Sequence, residues 1–377
     1  MNYIINHKTQ NIGKEMGLIS ANAATIERSG FSKKIEIVAK NWSIIFIAIL
    51  TIIFSFTGKG FLSLNNFQYI IHLSTVFLLL AAAETFVIIT GGIDLSVGFI
   101  MGLSSVLSAK VMQVIYQRGG AEPLSILVGT IVGLAVSLLP GLINGILIAR
   151  YNVPPFIATL GMWGITNGIT LKICQGFPIA SLPPSLVRIG NGFFIYILPH
   201  KVMSFFHKPP GIADEEIREL VRIFPLSIFF SVIVLFLLWH LLKNTKFGLH
   251  TYAIGGSMDA AVRSGINVKK HLILIYTLSS FLAGLAGVFN VFQTGIGNFT
   301  PYNAMYELYA IAAVVIGGAS LMGGKGSIIG SILGVILLKL LENGLQISGI
   351  EPFYRFIAVG FILIIAVIID QLFPDLF

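Results

Sequence analysis

Long apolar runs recur along this chain, each close to the length that a helix needs to cross a lipid bilayer. A helix rises 1.5 Å per residue, so about 20 residues span the hydrocarbon core. Short polar or basic segments separate the runs. The predicted helices cover residues 43–57, 67–90, 94–116, 124–149, 154–174, 224–242, 271–292, 304–322, 327–347 and 353–373. We therefore expect an all-α polytopic membrane protein with about ten transmembrane helices.

The composition excludes several other classes of protein. Hydrophobic residues make up 55% of the chain and charged residues 11%, which is far more apolar than a soluble domain requires. The single cysteine, Cys174, cannot form an intrachain disulfide, and no Cys/His spacing suits a metal, so no metal site is expected. The net charge of +8 comes mostly from basic residues between the apolar runs, where the positive-inside rule explains them. Nucleic acid is therefore not an expected partner.

The distribution of charge predicts the domain organisation. Residues 1–42 are polar and rich in lysine, and we expect a cytoplasmic N-terminal tail before a membrane domain over residues 43–373. Counting crossings from that tail places the basic loop at residues 243–270 in the cytoplasm. Residues 176–223 form an extracytoplasmic insertion by the same count, although that insertion is itself rich in basic residues. Within it the pattern predicts an interfacial segment over residues 192–206 and a short amphipathic helix over residues 211–224.

One acidic residue stands within a long uncharged run. Residues 90–98 read TGGIDLSVG, and Asp94 is the only charged residue between positions 85 and 109. An acid at the centre of a membrane helix costs about 2.5–3.5 kcal/mol, so it normally faces a bundle interior or a water-filled path. Gly91 and Gly92 allow the helix to break there. This signature turn favours transport, and capping of the next helix by Asp94, from the position before Leu95, is the structural alternative.

A weak internal repeat also favours a transporter. GTIVG at residues 129–133, followed by Asn144-Gly145, recurs as GSIIG at residues 326–330, followed by Asn343-Gly344. A proline-phenylalanine pair follows each copy. The two copies cross the membrane in opposite directions by our count, which is the trace of an inverted repeat. Chance similarity between glycine-rich helices is the alternative.

Enzymatic motifs are absent from the sequence. GGKGS at residues 323–327 ends like a phosphate loop, but Ala319 stands where the first glycine is required and Gly326 replaces the final Ser or Thr. No HExxH or GxSxG motif is present either. We therefore predict no catalytic residue, and if ATP drives this protein, another chain hydrolyses it.

The predicted cytoplasmic loop has the character of a partner contact. AIGGSMDAAVRSGINVKKH, at residues 253–271, is rich in small residues and predicts a short helix over Met258–Arg263. A short helix of this kind fits a groove on another chain. A plain connecting loop with a basic end is the alternative.

Four ordered blocks of sequence resemble the ribose-type permeases of bacterial ABC importers. They are residues 90–98, 144–161, 255–266 and 306–327, and the resemblance extends over residues 45–372. It implies an ABC importer permease in the inner membrane, with its N-terminus in the cytoplasm, forming a homodimer. It also implies a cytoplasmic ATPase that holds ATP and Mg, a solute-binding protein outside, and no cofactor in this chain. The implied solute is a monosaccharide such as ribose, or a related polar solute such as an inositol or a nucleoside.

The resemblance carries over to particular residues. Those implied to form the signature turn or the translocation path are Gly91, Gly92, Asp94, Ser96, Asn144, Thr159 and Asn167. Those implied to contact the ATPase are Gly256, Ser257, Asp259, Ala260, Ala261, Ser264 and Gly265. For Thr159 a hydrogen bond back to its own helix is the alternative role. For Asn144 the alternative is an interhelical hydrogen bond.

This sequence departs from the family pattern at several positions. Ser257 replaces the usual Asn, and Asp259 replaces the usual Glu. Asn167 stands where many members have Arg, and Tyr309 where many have Asp. These losses of charge and the long insertion leave the solute open. An ion-coupled secondary transporter and a non-transporting membrane scaffold remain as rival functions.

Overall fold

The computed structural model describes residues 42–198, 202–209, 220–299 and 305–372. Helices dominate this part of the chain. They are α1 (Trp42–Thr57), α2 (Leu64–Ile89), α3 (Val97–Gln117), α4 (Glu122–Tyr151), α5 (Pro155–Cys174), α6 (Pro184–Gly190), α7 (Leu226–Asn244), α8 (Lys246–Gly256), α9 (Met258–Arg263), α10 (Val268–Thr294), α11 (Tyr306–Ile316), α12 (Ile328–Ile347) and α13 (Pro352–Leu372). The strands are β1 (Phe193–Leu198), β2 (Val202–Phe205) and β3 (Val221–Pro225).

Six of the described helices are long and apolar enough to cross a membrane. They are α2, α3, α4, α7, α10 and α12. Helices α1 and α11 are apolar but have only 16 and 11 residues. The structure thus supports a polytopic helical protein with six candidate spans, and the count of ten remains a prediction.

Small residues let the two central helices, α4 and α10, pack closely. A Cβ added at Gly141 would overlap Ser280, and one at Gly145 would lie 2.7 Å from the Cα of Ile273. The Ser280 hydroxyl donates to the carbonyl oxygen of Ser137 at 2.6 Å. The four-residue glycine spacing of α4 therefore serves packing inside one subunit.

The helix contacts follow the predicted repeat. Helix α4 packs against α3 and α10, and α12 packs correspondingly against α11 and α2. If α2, α3 and α4 of the first copy correspond to α10, α11 and α12 of the second, each of these contacts has a counterpart in the other copy. Asn144 and Asn343, which correspond in the repeat, are both buried and hydrogen-bonded to another segment. The pairings fit an internal repeat, and the inverted orientation of its two copies remains a prediction.

The insertion departs from the expected all-helical structure. Within residues 192–206, strands β1 and β2 pair antiparallel, and we call this pair the β1–β2 hairpin. Strand β3 joins β1 on its other side in a sheet of order β2-β1-β3. The helix predicted over residues 211–224 is wrong at its end, where Val221–Pro225 is a strand, and residues 211–219 lie outside the described residues. The alternation of Val221, Arg222 and Ile223 suits a strand, and pairing with β1 satisfies its backbone.

Two boundaries also differ from the prediction. Helix α11 ends at Ile316 instead of residue 322, because Gly318, Gly323 and Gly324 adopt positive φ angles that end a helix. The helix predicted from residue 94 begins at Val97. By contrast, the short helix Met258–Arg263 is confirmed as α9, and α8 precedes it where only a loop was expected. Helix α7 leads from the sheet to α8. We call the end of the helix bundle that carries the sheet the sheet end, and the end that carries α8 and α9 the α9 end.

Candidate functional site

The signature turn begins where α2 stops. The backbone amide of Gly91 donates to Ile88 at 2.9 Å and that of Gly92 donates to Val87 at 3.1 Å. Gly91 has a φ of +78°, a value that side chains with a Cβ rarely adopt. A Cβ at Gly92 would overlap the hydroxyl of Tyr276 on α10. Gly91 therefore supplies the backbone conformation and Gly92 supplies the close approach.

Asp94 joins the signature turn to the helices around it. Its Oδ1 accepts from the backbone amide of Ser96 at 3.0 Å and from the Ser96 hydroxyl at 2.5 Å. Its Oδ2 accepts from Ser279 of α10 at 3.1 Å. The Asn144 amide of α4 donates to the Ser96 hydroxyl at 3.1 Å, which is the interhelical bond expected of Asn144. The carboxylate thus accepts hydrogen bonds from the turn and from α10, and Ser96 links it to α4.

The capping role considered for Asp94 is wrong in its details. The N-cap of α3 is Ser96, and its side chain makes no capping hydrogen bond. Asp94 instead bonds to Ser96 two residues ahead, which fixes the turn that leads into α3. Its structural contribution is to the turn and to the contact with Ser279, and the helix itself begins later than the sequence suggested.

Thr159 ties α5 to the same turn. Its hydroxyl lies 2.9 Å from the carbonyl oxygen of Pro155, the expected bond back to its own helix, and 3.2 Å from that of Ile93. Asp94, Ser96, Asn144 and Thr159 are all fully buried. Asn167 lies half-buried further along α5. In this conformation the four buried side chains shape the bundle and do not line an open path.

A cavity of about 400 Å³ lies directly beside the signature turn, at the α9 end. Gly91 and Gly92 line one side, Tyr276 lies on α10, and Met258 and Val262 of α9 line another side. The connection between α4 and α5, at residues 152–155, completes the wall. The turn and α9 therefore share one cavity.

Helix α9 is almost fully exposed, as a partner contact requires. The Ser257 hydroxyl caps it by accepting from the amide of Ala260 at 3.3 Å. The exposed members of the predicted contact set are Gly256, Ser257, Asp259, Ala260, Ser264 and Gly265. Ala261 differs, because only 2% of it is exposed and it packs in the hydrophobic core. Ala260 is thus available to a partner, and Ala261 is not.

Three glycine-rich segments meet next to α9, and sequence reasoning missed this glycine junction. It consists of Gly91, Gly255, Gly323 and Gly324 together with the carbonyl group of Ile89. The Gly324 amide donates to that carbonyl at 2.8 Å. A Cβ at Gly255 would overlap the same carbonyl oxygen, and a Cβ at Gly323 would lie 3.0 Å from the backbone of both Gly255 and Gly91. The only signal in the sequence was a Gly-Gly pair in each of the three segments.

The junction gives the GGKGS segment a structural role. Tyr252 of α8 donates its hydroxyl to the carbonyl oxygen of Gly326 at 2.7 Å. Burial raises the pKa of Tyr252 above its usual value, which keeps this donor protonated. Helix α8 therefore contacts the loop before α12 at two points, through Tyr252 and through Gly255.

Ionisable residues occur elsewhere inside the bundle. Glu84 of α2 is fully buried, and Glu307 at the start of α11 accepts a hydrogen bond from Trp163 of α5. Lys339 of α12, which sequence reasoning missed, is 6% exposed and pairs with Glu342 at 2.8 Å. Its ammonium group lies 3.4 Å from the centroid of the Phe77 ring. These contacts hold α2, α5, α11 and α12 together.

Among the described residues, no group of three or more His, Cys, Asp and Glu side chains is placed to hold a metal ion.

Comparisons with known proteins match nearly the whole membrane region. Residues 66–367 match the family described as branched-chain amino acid transport system / permease component. The ribose import permease protein RbsC of Bacillus subtilis is 36% identical over 86% of this chain and 90% of its own length. The fructose import permease protein FrcC of Rhizobium meliloti is 36% identical, with 83% and 80% covered. The D-allose transport system permease protein AlsC of Escherichia coli is 34% identical, with 86% and 90% covered. No solved structure matches.

Proposed function

The chain belongs to the branched-chain amino acid transport system / permease component family, and on that premise we propose that it is the permease subunit of an ATP-driven monosaccharide importer. Relatives that cover most of its length are import permeases for ribose, fructose and D-allose. These sugars are uncharged and rich in hydroxyl groups. A path with scattered hydroxyl and amide groups can pass them without binding them tightly. We propose that the transported solute is a ribose-like monosaccharide.

The observation that carries this proposal is the link between an exposed helix and the signature turn. Helix α9 presents Ala260 and Asp259 outward, and the glycine junction fastens the preceding helix to the end of α2. An ATPase bound at α9 would therefore act directly on the signature turn and on the cavity beside it. A non-transporting scaffold has no need of such a linkage.

The same reasoning assigns the partners. A cytoplasmic ABC ATPase, which carries the ATP and Mg, binds at α9, so this subunit is itself non-catalytic. A solute-binding protein delivers the sugar at the sheet end. The protein lies in the bacterial inner membrane as a multi-pass protein with residues 1–42 in the cytoplasm, residues 176–223 outside and residues 243–270 as the coupling loop.

A second copy of the chain completes the permease in this proposal. Only one face of α5 packs against its own subunit, and the other exposes apolar side chains. Added Cβ atoms at Gly161, Gly164 and Gly168 would meet nothing within 4 Å. Asn167 and Trp163 lie half-buried beside that open face. A homodimer that closes over α5 would enclose these polar groups between the two copies, where the solute passes.

Transport then proceeds by alternating access. Closure of the two ATPase subunits displaces the α9 helices, and the glycine junction carries this movement to Gly91 and Gly92. The cavity beside the turn changes its shape, and the path switches between outward and inward openings. The loaded binding protein and ATP must each prefer one of the two states, because a ligand without such a preference shifts no equilibrium.

Uptake of radiolabelled monosaccharides into proteoliposomes tests this function. The permease is reconstituted with the ATPase and binding protein encoded beside it, with ATP enclosed on the ATPase side. We expect uptake that requires ATP and the binding protein and that survives dissipation of ion gradients by ionophores. Uptake that continues without ATP and stops with the ionophores would establish the ion-coupled rival instead.

A further inference from the structure

Five phenylalanines form one cluster where the sheet meets α7. Phe194 of β1 stacks on Phe229 of α7, with ring centroids 5.3 Å apart and ring planes 23° apart. It also meets Phe206 edge-on at 4.7 Å and Phe205 at 6.1 Å. Phe229 in turn contacts Phe230 at 5.8 Å. We call these five residues the phenylalanine cluster.

The outer part of this cluster is exposed together with the edge strand beside it. Phe205 and Phe206 are 48% and 58% exposed, and Val202 and Met203 of β2 are similarly exposed. A strand that faces water normally alternates apolar and polar side chains. Here the exposed positions are apolar, and among the described strands β2 is an edge of the sheet. Such a surface requires a partner.

The surface of α7 shows which partner this is. Helix α7 is a candidate membrane span, and its exposed side chains are large and apolar. They include Phe229, Phe230, Val232, Ile233 and Phe236. On a membrane span such side chains face lipid. Through the stacking of Phe194 on Phe229, the apolar side chains of α7 continue onto the hairpin.

We propose that the β1–β2 hairpin is a membrane-interface element whose phenylalanine cluster rests in the outer leaflet. The partner is the bilayer surface, at the level where acyl chains meet headgroups. Aromatic side chains concentrate at this level in membrane proteins. Exposed His207 and Lys208 follow the cluster directly and lie where they contact headgroup phosphates. Lipid contact fixes the tilt of the sheet over the bundle.

This inference goes beyond the proposed function and does not depend on transport. It requires only that α7 spans the membrane and, for the assignment to the outer leaflet, that the sheet end lies outside as proposed above. The hairpin belongs to the insertion that departs from the family pattern. A second copy of the chain and a solute-binding protein are the other conceivable occupants of the surface. The experiment separates all three.

Nitroxide labels on the full chain report which medium the hairpin meets. Cys174 is the chain's single cysteine, so Cys174→Ala provides a background for labelling single sites. Phe206→Cys is the test position. Phe236→Cys on α7 is the lipid control, and Arg188→Cys on α6, which is exposed at the sheet end, is the water control. Each protein is reconstituted in vesicles of phosphatidylethanolamine and phosphatidylglycerol.

Collision of the label with oxygen, which concentrates in lipid, is compared with collision with a water-soluble nickel complex. We expect the oxygen-to-nickel ratio at position 206 to exceed that at position 188 and to approach that at position 236. A ratio equal to that at position 188 overturns the proposal. Low collision rates with both reagents, together with dipolar broadening, would indicate a second copy and would also overturn the proposal. Collision rates that are water-like and fall only when the binding protein is added would overturn it as well.

A second variant tests the cluster without a label at its centre. With the reporter moved to Val202→Cys, replacement of both Phe205 and Phe206 by Ser should lower the oxygen-to-nickel ratio towards the water value. Phe177→Ser, which removes another highly exposed phenylalanine of the insertion, is the matched control and should leave the ratio unchanged. An unchanged ratio in the double variant, in protein that elutes as the parent does, contradicts lipid anchoring by these rings.

Discussion

Replacing Gly255 by alanine should break the connection between α9 and the signature turn. The new Cβ would overlap the carbonyl oxygen of Ile89 and would lie 2.5 Å from the amide nitrogen of Gly324. Ordinary contact begins at 3.4 Å, so the contact with Gly324 alone requires the end of α8 to retreat by about 0.9 Å, and the overlap with Ile89 requires a larger retreat. That displacement separates the segments joined by the Gly324 to Ile89 hydrogen bond.

The cost follows from these two effects. Forcing one methyl group into a filled site costs about 1–3 kcal/mol, and weakening a buried backbone hydrogen bond adds about 1 kcal/mol. We therefore expect Gly255→Ala to lower the stability of the junction by about 2–4 kcal/mol. Most of this falls on local packing, so the subunit should still fold and melt at a lower temperature.

The neighbouring glycine provides a matched control. Gly256 also lies at the end of α8, but a Cβ there would meet nothing within 4 Å. Gly256→Ala should leave thermal unfolding in detergent unchanged or slightly improved, since alanine favours a helix over glycine by about 1 kcal/mol. Because Gly256 belongs to the predicted ATPase contact, copurification of the ATPase is measured first, and both variants should retain it. In proteoliposomes, Gly255→Ala should then lose most solute transport per ATP hydrolysed. Equal melting temperatures and equal coupling in the two variants would refute the role of the junction.

Two further predictions concern the signature turn and the ATPase contact. Asp94→Ala leaves the Ser96 and Ser279 donors without their acceptor and should lower the free energy of unfolding by at least about 3 kcal/mol. Asp94→Asn keeps one acceptor oxygen and should lower it by less. Equal melting temperatures of these two variants would contradict the role given to the hydrogen bonds of Asp94. Ala260→Trp should prevent the ATPase from copurifying with a folded permease, while Ala180→Trp, at an exposed alanine of the insertion, should not. Retention of the ATPase by Ala260→Trp would exclude α9 as its contact.

The elements that the sequence predicted well are those governed by local chemistry. The break at Gly91-Gly92 follows from backbone freedom, and α9 follows from a serine cap and a run of good helix formers. Apolar runs of sufficient length likewise located most of the long helices. Each of these features depends on residues that are neighbours along the chain.

The features that escaped prediction depend on residues far apart in sequence. The residues after Ile316 are apolar enough to continue α11, and the chain turns there because the glycine junction needs close backbone contact. Val221–Pro225 becomes a strand because β1 is available to pair with it. Lys339 was not singled out from the sequence, because its burial depends on the packing of Phe77 and Glu342 around it.

The most direct test of the central claim is the ATPase activity of the reconstituted complex as a function of solute. Permease, neighbouring ATPase and binding protein are combined in liposomes, and pentoses, hexoses, inositols and nucleosides are supplied one at a time. We expect one monosaccharide to stimulate the ATPase activity, and we expect this stimulation to require the binding protein. It should be lost in Gly255→Ala and retained in Gly256→Ala. Stimulation by an inositol or a nucleoside alone would correct the solute. A complex that assembles and responds to no solute, or three proteins that do not assemble, would contradict the claim.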